Sequence, residues 1–177
     1  MTFPGIDPVA EYHRAMVAML EQQRNAYATA TLAAGPFFGL SVTEYDDMLR
    51  DLRDELDKEV VLMMVASAEA CIRNDFNQRL SRRTKDAVRR KFKALQKKHG
   101  ERVRLTDILD AWRREVAPSG SQAFAQFAQL LKHRHWLAHG RYWTDKSGVV
   151  SDPVTTRTVI DALFVAFQGV VPTFPLG

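Results

Sequence analysis

The sequence predicts an all-α fold, a single helical bundle of about five or six helices with a helical extension at its N-terminus. Apolar residues recur every three or four positions through most of the chain, which is the period of a helix that buries one face. Stretches with glycine and proline, such as AAGPFFG and APSGS, separate these segments, and no segment shows the alternation of a half-buried strand. The 177 residues suffice for one substantial core. We place the extension at residues 1–40 and the bundle at residues 41–177.

The first two helices are predicted from their starts and stops. Asp7 and Pro8 have the pattern of an N-cap followed by proline at the first helical position, and AAGPFFG ends this helix. Ser41 and Glu44 form a candidate capping box, in which each side chain accepts from the backbone N–H of the other. The apolar spacing that follows predicts one long helix that continues to about Leu80.

Four more helices are predicted in the second half of the chain. KKHG stops a basic helix, and Gly140 suits the C-terminal end of a later one. TDKSG is a turn that could join two very short strands. The predicted caps or first residues of the four helices are Thr84, Thr106, Ser121 and Asp152.

Composition favours a soluble cytoplasmic protein that does not enter a membrane. The single cysteine, Cys71, excludes an internal disulfide and fits a reducing compartment. The start MTFPGIDPVAEYHRAM lacks the basic cap and apolar run of a signal peptide. No uncharged apolar stretch approaches the ~20 residues that span a bilayer.

Positive charge is concentrated in one block. Residues 79–104 hold 12 Lys/Arg and two acids, whereas residues 1–78 hold six Lys/Arg and 13 acids. Such a block predicts a polyanionic partner, although a solvated helix with no partner has the same composition. On a helix, one cationic stripe opposite an apolar face would consist of Lys85, Arg89, Lys93 and Lys97.

Three of the five histidines lie in LLKHRHWLAHGRYW, residues 130–143, and three interpretations compete. His135 and His139 are one helical turn apart, as two zinc ligands would be, but no third ligand is visible, so we expect no metal and no cofactor. A histidine here could instead be a half-buried structural residue. The third interpretation is RNA cleavage, in which a histidine moves the proton of the ribose 2′-OH and Arg134 stabilises the charge on the phosphate.

The segment RHWLAH, residues 134–139, resembles the R-x4-6-H motif of HEPN domains, the "higher eukaryotes and prokaryotes nucleotide-binding" domains. In many members a polar residue follows the arginine, as His135 does here. SAEACIRNDF, residues 67–76, is similar to the early helix of one HEPN subgroup, with its Glu and Arg at Glu69 and Arg73. The resemblance covers residues 45–171.

Membership in that family would imply a metal-independent endoribonuclease that acts as a homodimer in toxin–antitoxin, phage-defence or RNA-processing systems. Arg134 and His139 would be the catalytic pair, His135 the auxiliary polar residue, and Glu69 and Arg73 would support the site. An antitoxin would be one partner. Some toxin members carry a tyrosine two residues after the histidine that a partner nucleotidyltransferase modifies, and the tyrosine here, Tyr142, is three residues after His139.

Two functions from different classes follow. The first is RNA cleavage at Arg134 and His139, with the motif helix packed beside the helix that carries Glu69 and Arg73. Five residues correspond to about 140° around a helix, so this pair would share a face only if the helix loosens near Gly140, or would serve different halves of a dimer cleft. The alternative is a non-catalytic module that binds nucleic acid or a protein through the basic helix 84–98.

Overall fold

The computed structural model describes residues 5–29, 39–82, 84–116, 118–139 and 147–176. Those ranges form six α-helices, with no strand among them, which confirms the all-α prediction. Residues 144–146 of the predicted turn and Gly140 lie outside the described residues. The helices are α1 (Ile6–Ala28), α2 (Val42–Ser81), α3 (Ala87–His99), α4 (Leu105–Arg113), α5 (Ser121–His139) and α6 (Pro153–Val170), with short 3-10 turns at Gly100–Arg102 and Pro118–Gly120.

Two predicted helix starts are confirmed in atomic detail. The Ser41 hydroxyl accepts from the Glu44 N–H at 3.3 Å, and the Glu44 carboxylate accepts from the Ser41 N–H at 2.8 Å. Asp152 accepts from the N–H groups of the two residues that follow Pro153, at 3.2 and 2.9 Å. Both acids satisfy N–H groups that the first helical turn leaves without partners. Hydrogen bonds from the N–H and hydroxyl of Ser41 lower the pKa of the Glu44 carboxyl, and hydrogen bonds from the Thr155 hydroxyl and from the two N–H groups lower the pKa of Asp152.

The other four starts differ from the prediction, those of α4 and α5 by a single residue. α1 begins at Ile6 after Gly5, whose φ of 86° suits glycine, and Asp7 lies inside the first turn, where it pairs with Arg157. α3 is capped by Asp86, not by Thr84, because the Asp86 carboxylate accepts the N–H three residues ahead at 2.7 Å. A charged carboxylate is a stronger acceptor at this position than a hydroxyl.

The long helix α2 is the axis on which the other helices pack. α1, α5 and α6 lie against it, and α3 and α4 pack on each other and on α2. Trp112 of α4 is fully buried between the rings of Phe92, Phe167 and Phe174. Ile6, from the predicted extension, is fully buried in the same core. Within the described residues, no helix combines the length and apolar character needed to cross a membrane.

A buried ion pair lies at the C-terminal end of α2. The Arg79 guanidinium donates to both carboxylate oxygens of Asp75 at 2.7 and 2.9 Å, and both side chains are fully buried. Arg79 also donates to Asp86 at 3.0 Å and lies over the ring of Trp112. The backbone N–H of Leu176 donates to Asp75 at 3.1 Å, which fixes the C-terminal segment on α2. One cation of the basic block is therefore internal and neutralised.

Candidate active site at the C-terminal end of α5

Helix α5 presents the Arg–His motif because its apolar residues fix its rotation. Phe124, Phe127, Leu130 and Leu137 are buried, at the spacing of one helical face. α5 packs against α2, as predicted for the helix that carries Glu69 and Arg73. His135 and His139 consequently lie on the exposed side of α5.

Arg134 is anchored to α2 by a carboxylate. Its Nε is 3.5 Å from Oε1 of Glu69, and the side chains are 32% and 21% exposed. That Nε is buried and forms no hydrogen bond within the described part of the chain, so Glu69 holds it by charge alone. The contact holds the guanidinium at Nε, and the side chain as a whole remains partly exposed.

His135 and His139 form a pair of their own. Their ring centroids are 5.2 Å apart, and both side chains are exposed. Arg134 and His139 remain about 140° apart around α5, because the helix continues regularly through His139. The site therefore consists of two imidazoles on one face and a half-buried guanidinium at its edge.

Arg73 is not placed at this site. Arg73 is exposed, and its Nη1 is 3.5 Å from the carbonyl oxygen of Val103, just before α4. It thus lies one turn beyond Glu69 and is directed towards the start of α4. Tyr142 lies outside the described residues.

His133 is the structural histidine of the cluster. It is 2% exposed, and its two ring nitrogens are 3.1 and 2.8 Å from the hydroxyls of Ser147 and Ser151. Its ring also stacks on Trp136. Sequence analysis missed both serines, although two hydroxyls just before a capped helix are natural partners for a buried imidazole.

Catalysis by a metal cluster or by a cysteine thiol lacks the residues it would need among the described ranges. No three His, Cys, Asp or Glu side chains of the described ranges are close enough together to hold a metal ion. Burial raises the pKa of the Cys71 thiol to about 11, so the thiol stays protonated near neutral pH. It is therefore a poor nucleophile.

The four predicted stripe cations have different environments. Lys93 and Lys97 are exposed on α3, and Lys85 is exposed just before the helix begins. Arg89 is half-buried and donates through Nε to the carbonyl oxygen of Arg79 at 3.0 Å. Arg90, which sequence analysis did not single out, is exposed. Three of the four stripe residues are thus accessible to a polyanion.

The described residues add an all-helical architecture and the Glu69–Arg134 contact to the sequence motif. These features describe a local arrangement and a class of fold. Comparison with protein-family models, with curated proteins and with solved structures finds no match to this chain.

Proposed function

We propose that the protein is a metal-independent endoribonuclease of the HEPN type that works as a homodimer, as a toxin or phage-defence effector. The observation that carries the proposal is the arrangement at the end of α5. There, Glu69 anchors Arg134 at the edge of the face that carries the two exposed imidazoles of His135 and His139. A toxin of this type would have an antitoxin or a nucleotidyltransferase as a further partner.

The chemistry requires one proton to be removed and one to be supplied. His139 takes the proton of the ribose 2′-OH, whose oxygen forms a bond to the adjacent phosphorus. The bond from phosphorus to the 5′-oxygen breaks, and that oxygen receives a proton from a second imidazole. Arg134 stabilises the extra negative charge on the phosphate oxygens. The products carry a 2′,3′-cyclic phosphate and a 5′-hydroxyl.

Two imidazoles are available for the second proton transfer. His135 of the same chain is one helical turn from His139, with the ring centroids 5.2 Å apart. A second copy of the chain, related by a two-fold axis, would bring its own motif to the same phosphate. Either arrangement allows a base and an acid to act on one phosphodiester.

The decisive test uses one oligonucleotide in all-ribo, single-deoxy and all-deoxy forms, incubated with the protein in EDTA. We expect the all-ribo strand to be cut, because the nucleophile is the 2′-OH. The single-deoxy strand should resist cutting at that position, and the all-deoxy strand should stay intact. End-group analysis should show cyclic phosphates and 5′-hydroxyls. Cutting of the all-deoxy strand, or 5′-phosphate ends that disappear with EDTA, would replace this mechanism with a metal-dependent one.

Exposed valines lie at the same end of the molecule as the motif. α5 and α6 are antiparallel. The start of α5 and the end of α6 line one groove, and a later part of α5, at residues 129–130, lines a second groove with residues 152–155 at the start of α6. The contacts of His133 with Ser147 and Ser151 place the beginning of α6 beside the motif. Val150 and Val154, here 80% and 71% exposed, offer an uncharged contact for a second copy that would bring two motifs together.

Replacing Val154 with aspartate should therefore separate the dimer and reduce cleavage. A two-fold axis at this valine would place two carboxylates against each other. Sedimentation at micromolar concentration measures the change. The control is Val165→Asp, which alters a valine that is 63% exposed on the same helix, roughly 16 Å further along. An intact protein that is a monomer at that concentration would contradict the dimer.

The alternative function is binding without catalysis through α3, and the exposure of Lys85, Lys93 and Lys97 favours it. Replacing these three lysines with glutamine should weaken RNA binding and lower the slope of log K against log salt by about 0.7 for each lost phosphate contact. Lys91→Gln is the matched control, because Lys91 lies on the same helix but is paired with Glu115. Unchanged RNA affinity in the triple variant would show that the cationic stripe is only a solvated surface. Binding without any cleavage would favour this alternative over the nuclease.

A further inference from the structure

The two exposed imidazoles of α5 have the separation of a metal chelate. His135 and His139 are one helical turn apart, their ring centroids are 5.2 Å apart and their ring planes are inclined by 60°. Two imidazoles that ligate one tetrahedral Zn²⁺ through bonds of about 2.0–2.1 Å place their centroids roughly 5 Å apart. The spacing of the rings is therefore compatible with both imidazoles binding one ion.

We propose that His135 and His139 together bind one divalent transition-metal ion, such as Zn²⁺, Ni²⁺ or Cu²⁺, with water in the remaining coordination positions. The backbone of the site is already fixed, because the buried residue between the two histidines, Leu137, packs α5 into the core. The ligands are thus held on a rigid helix rather than on a loop. Binding costs mainly the freedom of two exposed side chains.

The surrounding side chains decide which ions the pair accepts. Imidazole suits zinc, copper and nickel, whereas magnesium and calcium prefer several oxygen ligands. No third His, Cys, Asp or Glu of the described ranges completes a cluster with the pair, and the carboxylate on the neighbouring helix, Glu69, faces Arg134. The affinity should rise from Mn²⁺ through Co²⁺ and Ni²⁺ to Cu²⁺, and Mg²⁺ should not bind.

A bound ion would also switch off the proposed reaction. It would occupy nitrogens that must exchange protons with the RNA, so the enzyme would be inhibited by the ions that bind and restored by a chelator. This consequence rests on the proposed ribonuclease function, whereas the binding itself does not.

The test is calorimetric titration of the untagged full chain with Ni²⁺ and with Mg²⁺, together with thermal unfolding in each ion. We expect one Ni²⁺ per chain, a melting temperature that rises with Ni²⁺, and no response to Mg²⁺. His135→Ala and His139→Ala should each weaken Ni²⁺ binding by roughly 10-fold or more, because loss of a ligand costs at least as much as loss of a group that only orients one. His99→Ala, which removes a histidine on α3, should bind as the intact chain does. Equal Ni²⁺ affinity in the intact chain and both motif variants would overturn the proposal.

A separate measurement keeps the two proposals apart. RNA cleavage is followed with and without Ni²⁺. Ni²⁺ binding by a protein that never cuts RNA would leave the metal site standing and remove the ribonuclease. Cleavage by a protein that binds no Ni²⁺ would support the ribonuclease and remove the metal site. Inhibition by Ni²⁺ that EDTA reverses, in a protein that binds the ion through both histidines, would support both.

Discussion

Replacing His139 with alanine is expected to slow RNA cleavage by about 10²–10⁴-fold, which is the usual contribution of a positioned proton-transfer group. The fold should be unaffected, because the side chain is exposed at the end of α5. Single-turnover rates on the all-ribo oligonucleotide measure the loss. Circular dichroism and thermal unfolding establish that the variant is folded.

Two further variants show whether the loss is specific to the chemistry. Lys132→Ala removes an exposed cation from the same helix and should change the rate little. Arg134→Lys keeps the charge beside Glu69 but loses the planar fork, so it should fold and still be badly impaired. Full activity in both His139→Ala and Arg134→Lys would show that the motif does not carry the reaction.

Replacing Arg79 with methionine should destabilise the protein strongly. The change leaves Asp75 buried without its bidentate partner, and breaking such a pair costs about 3–5 kcal/mol. For a domain of this size the melting temperature should fall by roughly 6–20 °C. Denaturant titration gives the free energy of unfolding directly.

The matched control is Arg24→Met. Arg24 also makes a bidentate pair, with Asp46 at 2.8 and 3.0 Å, but this pair is exposed to solvent. Its loss should change the melting temperature little. The double variant Asp75→Leu/Arg79→Met should recover much of the stability, since no unpaired charge remains buried. Equal losses for Arg24→Met and Arg79→Met would contradict the account.

Helix starts with local chemistry were the part of the fold that the sequence predicted best. Ser41 with Glu44, and Asp152 with Pro153, involve residues within three positions of each other, so the pattern alone specifies the hydrogen bonds. The start of α1 was predicted too late, because Gly5 and the ion pair between Asp7 and Arg157 depend on how α1 and α6 pack. No local pattern contains that information.

The buried ion pair could not be predicted for a related reason. Asp75 and Arg79 have the i, i+4 spacing of ordinary surface pairs. Their burial depends on Trp112 of α4 and on the C-terminal segment at Leu176, which are distant in sequence. Charge counting accordingly assigned Arg79 to the positive surface.

At the candidate site, the sequence predicted that α2 and α5 meet, whereas Glu69 and Arg73 were expected to support the motif only from the family resemblance. Glu69 does approach Arg134, because the apolar positions of α2 and α5 fix their mutual rotation. Sequence reasoning could not tell which of the histidines is internal. His133 is buried by hydroxyls that come more than ten residues later.

The imidazole of His133 connects the motif helix α5 to the segment that leads into α6. Its removal would break both serine contacts and loosen residues 147–152, so a loss of activity in a His133 variant should be accompanied by faster amide exchange in that segment. Substitution of His135 or His139 should reduce activity but leave amide exchange in that segment unchanged. Scanning the three histidines with both measurements would thus assign two of them to the chemistry and one to the architecture that supports it.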